Sequence, residues 1–455
     1  MHPKTTRQLS VGFISLGCAK NLVDSEVMAS HLMRAGFKLA SAPEKGDLLI
    51  VNTCAFIDAA KKEAVEAILD ACALKKKKPD MLIVVAGCLP QRYRQELPVL
   101  LPEVDAFLGI DRITRVASVV RRLLRGERGF LEIPPSPRAV IDPPAGRILF
   151  TGAPYAYIKI ADGCDHRCAF CAIPQIRGKY RSRSAAGILR EAEELLSRGV
   201  RELNLIAQDV TFYGRDINGK AGLPFLLRRL GRLGGKFWIR LLYGHPAGVS
   251  DDLMEAMGET RQICRYLDLP IQHCSPKILR LMRRGGGENT LRKLFARIRQ
   301  TLPGIALRTT CLVGFPGETE SDFRRLLNFT AETGFDHLGV FAYSDEENTR
   351  AASLKNKVPR RIALKRKTVL MRRQQEVVAG KLTDAVGKTE EVLVERRKPG
   401  AKHVWLARSF RQAAEVDSAV YLRDDTGRLA PGMFVTARYV KASGYDLTAE
   451  TVERI

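Results

Sequence analysis

No run in this chain of 455 residues is apolar enough for long enough to cross a bilayer. Met1 to Ser10 lack the apolar segment of a secretory signal, so the expectation is a cytoplasmic protein without membrane attachment. No internal repeat or low-complexity tract breaks the chain, and its length suits two or three domains with their own cores. Acidic residues are in short supply: 50 Asp and Glu face 74 Lys and Arg, a net charge of +24. That excess points to a polyanionic partner or one embedded in RNA; the other reading is a solvated basic surface with no specific role. A disulfide framework is not expected in a reducing cytosol. The ten cysteines, Cys18, Cys54, Cys72, Cys88, Cys164, Cys168, Cys171, Cys264, Cys274 and Cys311, therefore raise the question of metal binding or catalysis.

What is present divides into regions. Residues 8–130 alternate strand and helix patterns. Apolar runs at Val11–Leu16, Leu48–Val51 and Met81–Ala86 lead into Cys18, Cys54 and Cys88, with helical periodicity at Val23–Ala35 and Ala59–Leu74 between them. The expectation is an α/β domain with a doubly wound parallel sheet. Each of the three cysteines then falls just past the carboxyl end of a strand, the edge where such sheets place ligands. Taken singly, each also fits a buried apolar cysteine, and Cys72 on an apolar helix face reads as core. Residues 131–149 are rich in proline, as in Ile133-Pro-Pro-Ser-Pro-Arg138, and read as a stiff linker.

Residues 150–382 repeat the βα pattern, with strand-like runs at Ala156–Ile160, Glu202–Ile206, Trp238–Leu242, Tyr266–Leu269, Ile305–Thr310 and His337–Phe341. This predicts a partial (β/α) barrel of TIM type whose chemistry lies at the strand carboxyl ends. The basic segment Arg360–Arg373 reads as a helical connector. Residues 383–455 change to short strand patterns at Glu391–Val394, Ala419–Leu422 and Met433–Tyr439, the signature of a small all-β barrel. From Asp384 onward the charge is nearly balanced, with 12 Lys and Arg against 11 Asp and Glu.

The segment Cys164-Asp-His-Arg-Cys168-Ala-Phe-Cys171 follows the first barrel strand. Three thiolates on one short loop can hold three irons of a 4Fe–4S cluster and leave the fourth open to an amine and a carboxylate, which S-adenosylmethionine (SAM) offers. Phe170 sits where an aromatic ring can flank the adenine. A structural zinc site is the competing reading, but zinc sites favour paired ligand spacings and close four-coordinate. Polar residues at later strand ends are candidate SAM or substrate contacts: Gln208, Asp209, Arg240, Gln272, His273, Thr309 and Thr310. Their alternative is to satisfy loop backbone. Arg177, Arg181 and Arg183 read as steadying the cysteine loop, as substrate contacts, or as a solvated basic loop.

Asp162-Gly-Cys164, Cys171-Ala-Ile-Pro-Gln-Ile-Arg-Gly178, Arg181-Ser-Arg183 and Ser15-Leu-Gly-Cys18-Ala-Lys-Asn21-Leu-Val-Asp-Ser-Glu26 resemble the methylthiotransferases of the radical SAM superfamily. The last region resembles their TRAM domain, and the resemblance covers nearly the whole chain. It implies two 4Fe–4S clusters: one on Cys164, Cys168 and Cys171 that cleaves SAM, and one on Cys18, Cys54 and Cys88 that carries sulfur. It also implies that one SAM methylates this sulfur while a second supplies the radical, and that a reductant such as flavodoxin or ferredoxin takes part. One branch of the family modifies a tRNA adenosine near the anticodon; another modifies the β-carbon of an aspartate in small-subunit ribosomal protein S-twelve. Gly17-Cys-Ala-Lys-Asn21, Tyr266-Leu-Asp-Leu-Pro-Ile-Gln-His273 and Tyr445-Asp-Leu447 resemble the second branch. The balanced charge of the last domain suits a protein target, and the basic helices elsewhere are expected to face ribosomal RNA.

Overall fold

A computed structural model of the chain describes residues 8–152, 154–217, 222–425 and 427–452; the first seven residues and the last three of the expected C-terminal domain lie outside them. Two compact units emerge. The first comprises Met1–Phe150, Ala161–His166 and Cys171–Arg183, and the second Thr151–Ile160, Arg167–Phe170 and Ser184–Ile455.

The first unit is built on a six-stranded parallel sheet. Its strands are β1 (Ser10–Ser15), β2 (Lys38–Leu39), β3 (Leu48–Thr53), β4 (Leu82–Gly87), β5 (Ala106–Leu108) and β6 (Phe130–Glu132), in the order β2-β1-β3-β4-β5-β6. Every residue of β3 and β4 is buried, which is why both read as unbroken apolar runs rather than alternating ones. The helix Asp58–Lys77 buries Ala64, Ile68, Ala71 and Cys72 at helical spacing, against Ile83, Val85 and Phe107. Each large side chain so buried contributes about 1.5–3 kcal/mol. Cys72 is thus a core residue.

The proline-rich stretch is no free spacer. The carbonyl of Pro134 accepts from Gln91 (3.0 Å), the Ala139 amide donates to Asp111 (2.9 Å) and the Ala139 carbonyl accepts from Arg181 (3.0 Å). Arg147 is buried and pairs with Glu26, whose other oxygen accepts from the Phe150 amide at 2.8 Å. The segment therefore runs along its own unit, held by polar contacts that a proline-rich composition does not announce.

The second unit starts with β7 (Tyr155–Lys159). The short pair β8 (Ala161–Asp162) and β9 (Arg181–Ser182) belongs to the first unit. Then follow β10 (Glu202–Ile206), β11 (Trp238–Leu241), β12 (Ile263–Asp268), β13 (Ala306–Val313) and β14 (His337–Ala342). These five and β7 form an open parallel sheet in the order β14-β13-β12-β11-β10-β7, the expected partial barrel. Three of its helices start where hydroxyl side chains cap them: Ser184 accepts from the Gly187 amide, Ser250 from Leu253, and Thr319 forms a capping box with Asp322. The basic connector is a helix from Arg360 to Ala385 that buries Ala363, Leu370 and Val378.

A closed five-stranded barrel ends the chain, formed by β15 (Thr389–Arg397), β16 (Val404–Ser409), β17 (Val420–Arg423), β18 (Phe434–Ser443) and β19 (Asp446–Thr451). The segment between β16 and β17 meets the parallel sheet through charge. Glu415 accepts from the hydroxyls of Tyr155 (2.8 Å) and Tyr157 (2.9 Å). Asp417 accepts from Tyr266 (2.7 Å) and Arg308 (3.2 Å). Arg408 and Arg240 both grip Glu202, which is fully buried (2.7 and 2.6 Å). Tyr155, Glu202 and His337 open their strands, so this seam lies at the amino-terminal end of the sheet, away from the edge expected to carry chemistry. Removing the acceptor of a buried hydroxyl leaves that donor unsatisfied, at about 1–3 kcal/mol; for Asp417 this hydroxyl is that of Tyr266, while Arg308 keeps Asp268 at 3.1 Å. Asp417→Ala should therefore lower the urea midpoint of this unit by a corresponding amount, whereas Glu450→Ala, at an exposed surface pair, should leave it near the wild-type value.

Candidate functional site

The strands β1, β3 and β4 are neighbours in register, Ser15 opposite Asn52 and Asn52 opposite Ala86. Their carboxyl ends are therefore level, and the chain beyond each carries a cysteine: Cys54 directly after β3, Cys88 directly after β4, and Cys18 three residues after β1. Gly17 makes the approach possible. Its φ is +93°, and a β-carbon there would lie 2.6 Å from the Cys54 Cβ. Gly87, at φ +98°, turns the chain before Cys88, where a β-carbon would meet the Asn52 side chain at 2.3 Å. Asn21 ties the strand ends together, donating to the carbonyls of Leu16 (3.0 Å) and Thr53 (2.9 Å).

The electrostatics of this pocket are set by burial and one cation. Burial pushes the Cys88 thiol up to about 12, with the Arg177 guanidinium pulling the other way and the Cys54 and Cys18 thiols adding to the rise. Cys54 is raised by burial too, against the pull of the Phe56 amide. Among the described residues, no three Cys, His, Asp or Glu side chains gather closely enough to hold a single metal ion. Three thiols at one edge, each available to a different iron, fit a polynuclear iron–sulfur group.

The second cysteine set lies on the loop that leaves β7. Cys164 and Cys171 belong to the first unit and Cys168 to the second. In the first unit, the Cys164 amide donates to Gly178 (3.1 Å), and Gly163 at φ +79° passes so close to Lys179 that a β-carbon would sit 2.0 Å from its carbonyl oxygen. In the second unit, the Ala169 amide donates to Met282 (2.9 Å), its carbonyl accepts from Ala351 (2.8 Å), and Arg284 lies 3.7 Å from the Cys168 sulfur. Phe170 packs edge-on against Phe315, ring centroids 6.5 Å apart. All three thiols are half-buried, as ligands on an accessible loop would be.

The strand-end residues divide. Asp209 is buried and accepts from the Thr211 amide (2.9 Å) and hydroxyl (2.6 Å), capping its own loop. Thr309 donates to the Leu269 carbonyl (2.8 Å) and is buried. Arg240 is engaged by Glu202 and the Phe410 carbonyl at the amino-terminal seam, so its guanidinium is not presented at the carboxyl edge. Gln208, Gln272 and Thr310 remain half-buried at that edge. Gln272 holds φ +67° and Tyr243, past the neighbouring strand, +66°; such strain in non-glycine residues concentrates where function over-determines the backbone.

Residues 10–109 match an uncharacterized protein family (UPF0004), residues 158–330 the radical SAM superfamily, and residues 386–452 the TRAM domain. The chain is 44% identical over 449 residues to a ribosomal protein uS12 methylthiotransferase RimO of Syntrophus aciditrophicus, covering 98% of this chain and 99% of the relative. The enzyme of the same name from Pelotomaculum thermopropionicum is 44% identical over 444 residues, with the same coverage. The chain belongs to the RimO family of radical SAM methylthiotransferases. A solved structure, the radical SAM methyltransferase TsrM from Kitasatospora setae, matches with a TM-score of 0.57 at 16% identity over 74% of this chain and 73% of its own, a likeness of fold alone.

Within this RimO-family chain, sequence reading missed three features. Arg284 at the Cys168 sulfur stands in a basic stretch with no ligand spacing to single it out. The acid pair Glu415 and Asp417 lies in a loop with no pattern of its own. The reach of Arg177 to Cys88 spans 89 residues of sequence. His273 gives a direct check on the site. Burial pushes it down to about 3, and its Nδ1 accepts from the amides of Cys274 (3.0 Å) and Ser275 (2.9 Å), leaving the proton on Nε2. A histidine with a lowered folded pKa costs stability as pH falls below its unfolded value of about 6.5. The His273 ring resonance should therefore stay constant between about pH 5 and 8, and His273→Gln should flatten the acid limb of the stability profile. A resonance that titrates in that range refutes this tautomer and burial.

Proposed function

We propose that this chain methylthiolates the β-carbon of an aspartate in small-subunit ribosomal protein S-twelve, in the cytoplasm, using two SAM, a sulfur donor and two 4Fe–4S clusters. The observation that carries this reading is the 44% identity to RimO enzymes end to end, not over the radical SAM region alone. Sulfur insertion at an unactivated C–H bond needs a radical to remove the hydrogen and a sulfur held nearby. Cys164, Cys168 and Cys171 would hold an iron–sulfur group that, when bound, would supply the electron for SAM cleavage, and Cys18, Cys54 and Cys88 one with an iron open to sulfur.

The chain's own residues do the rest. Arg284 sets a positive charge beside the Cys168 sulfur. Phe315 backs Phe170, so that this ring stays beside the loop that takes the adenine. Gln208, Gln272 and Thr310 offer hydrogen-bonding groups at the carboxyl edge for SAM or substrate. The exposed Arg360, Arg361, Lys365, Lys367, Arg372 and Arg373 of the long helix are the surface for ribosomal RNA beside the target. A low-potential protein of the flavodoxin or ferredoxin class delivers the electrons.

Product analysis on the anaerobically reconstituted enzyme tests this reading. With small ribosomal subunits as substrate, Cys168→Ala should abolish 5′-deoxyadenosine formation. Cys54→Ala should block methylthio transfer while some SAM cleavage survives. Full transfer by the Cys54 variant refutes the two-cluster reading. Methylthiolation of tRNA in place of the ribosomal protein keeps the chemistry and overturns the substrate.

A further inference from the structure

Arg177 ends the short helix Ile173–Arg177, six residues after Cys171, and lies within the first unit. It is among the largest fully buried side chains of the protein. Its Nη1 donates to both oxygens of Asp162 (3.1 and 2.9 Å), and its Nη2 to Asn21 Oδ1 (2.7 Å) and Asp24 (3.0 Å). The same Nη2 lies 3.7 Å from the Cys88 sulfur. Asn21 Oδ1 lies at 3.7 Å from that sulfur as well, and its amide nitrogen holds the β1 and β3 ends. The guanidinium is thus fixed in place on three sides and aimed with one nitrogen at a thiol. Two carboxylates and one amide oxygen hold the guanidinium by hydrogen bonds, so they fix its direction as well as balance its charge.

We infer that Arg177 is a positioning residue for the Cys18–Cys54–Cys88 site: its guanidinium, held by Asp162, Asp24 and Asn21, directs an N–H at the Cys88 sulfur and would raise the midpoint potential of an iron–sulfur group bound there. Hydrogen bonds to the sulfurs and net nearby charge are the levers by which a protein sets such a potential. A cation in a site closed to water acts with little screening. Because Arg177 follows Cys171 so closely in the chain, the motif that supplies a ligand to one site also supplies the cation to the other.

This inference rests on the two-cluster reading, and the test separates the two. In a Cys164→Ala, Cys168→Ala, Cys171→Ala background, only the Cys18–Cys54–Cys88 site remains to be loaded with iron and sulfide. A redox titration followed by electron paramagnetic resonance then gives its midpoint. Arg177→Gln should move the midpoint to lower potential, and Arg177→Lys, which keeps the charge without the forked contact, should lie between that variant and the parent. Asp24→Asn leaves the guanidinium less compensated and should move it to higher potential, and this arm decides the matter if Arg177→Gln fails to load. Loaded variants with unchanged midpoints overturn the assignment of Arg177 alone. A background protein that binds no iron overturns the two-cluster reading and this inference with it.

Discussion

Three adjacent parallel strands that end level at one edge are the constraint on which the candidate site depends. Hydrogen bonding fixes the register of β1, β3 and β4, and the register fixes how far apart their carboxyl ends lie. Once that is set, a cysteine placed just beyond each strand has little freedom in where its sulfur goes. The glycines at 17 and 87 complete the arrangement by adopting backbone angles that a side chain would strain, and by leaving room where a β-carbon would collide. A thiol site assembled in this way needs no local ligand motif, which is why its three cysteines lie so far apart in the chain.

Buried charge is handled the same way in both units. Arg177 is enclosed by Asp162 and Asp24, and Arg240 and Arg408 enclose Glu202. Such groups are expensive to desolvate and contribute little net stability when fully paired. What they confer is a defined geometry: each guanidinium has one arrangement that satisfies it. At the amino-terminal end of the parallel sheet this geometry fastens the C-terminal barrel to the strands. At the carboxyl edge of the first unit it directs a cation to a sulfur.

Much of the architecture was legible because it depends on short-range pattern. Unbroken apolar runs marked β3 and β4, and the alternation of strand and helix marked β1 and the six strands of the second sheet, while the short β2, β5 and β6 carried too few residues to show a pattern. The strands β16 and β19 escaped: Val404–Ser409 does not alternate, and Asp446–Thr451 alternates but carries only Leu447 and Ala449 as apolar residues. At the site, spacing made Cys164, Cys168 and Cys171 plain, and strand-end position singled out Cys18, Cys54 and Cys88. The polar residues were harder. Arg240 sits on a barrel strand like any substrate contact, but only the fold reveals that Glu202 and the Phe410 carbonyl claim it. Arg177 stands inside a recognisable motif, yet the direction of its side chain depends on packing that no local window contains.

The proposed function requires the two sets of three cysteines to form two separate iron–sulfur sites. Mössbauer spectra and iron content of the anaerobically reconstituted protein test it most directly, read for the wild type, Cys54→Ala and Cys168→Ala. The account predicts two cluster populations in the wild type, and in each variant the loss of one with the other's spectrum unchanged. A single population in the wild type, or the loss of both from either substitution, would contradict it.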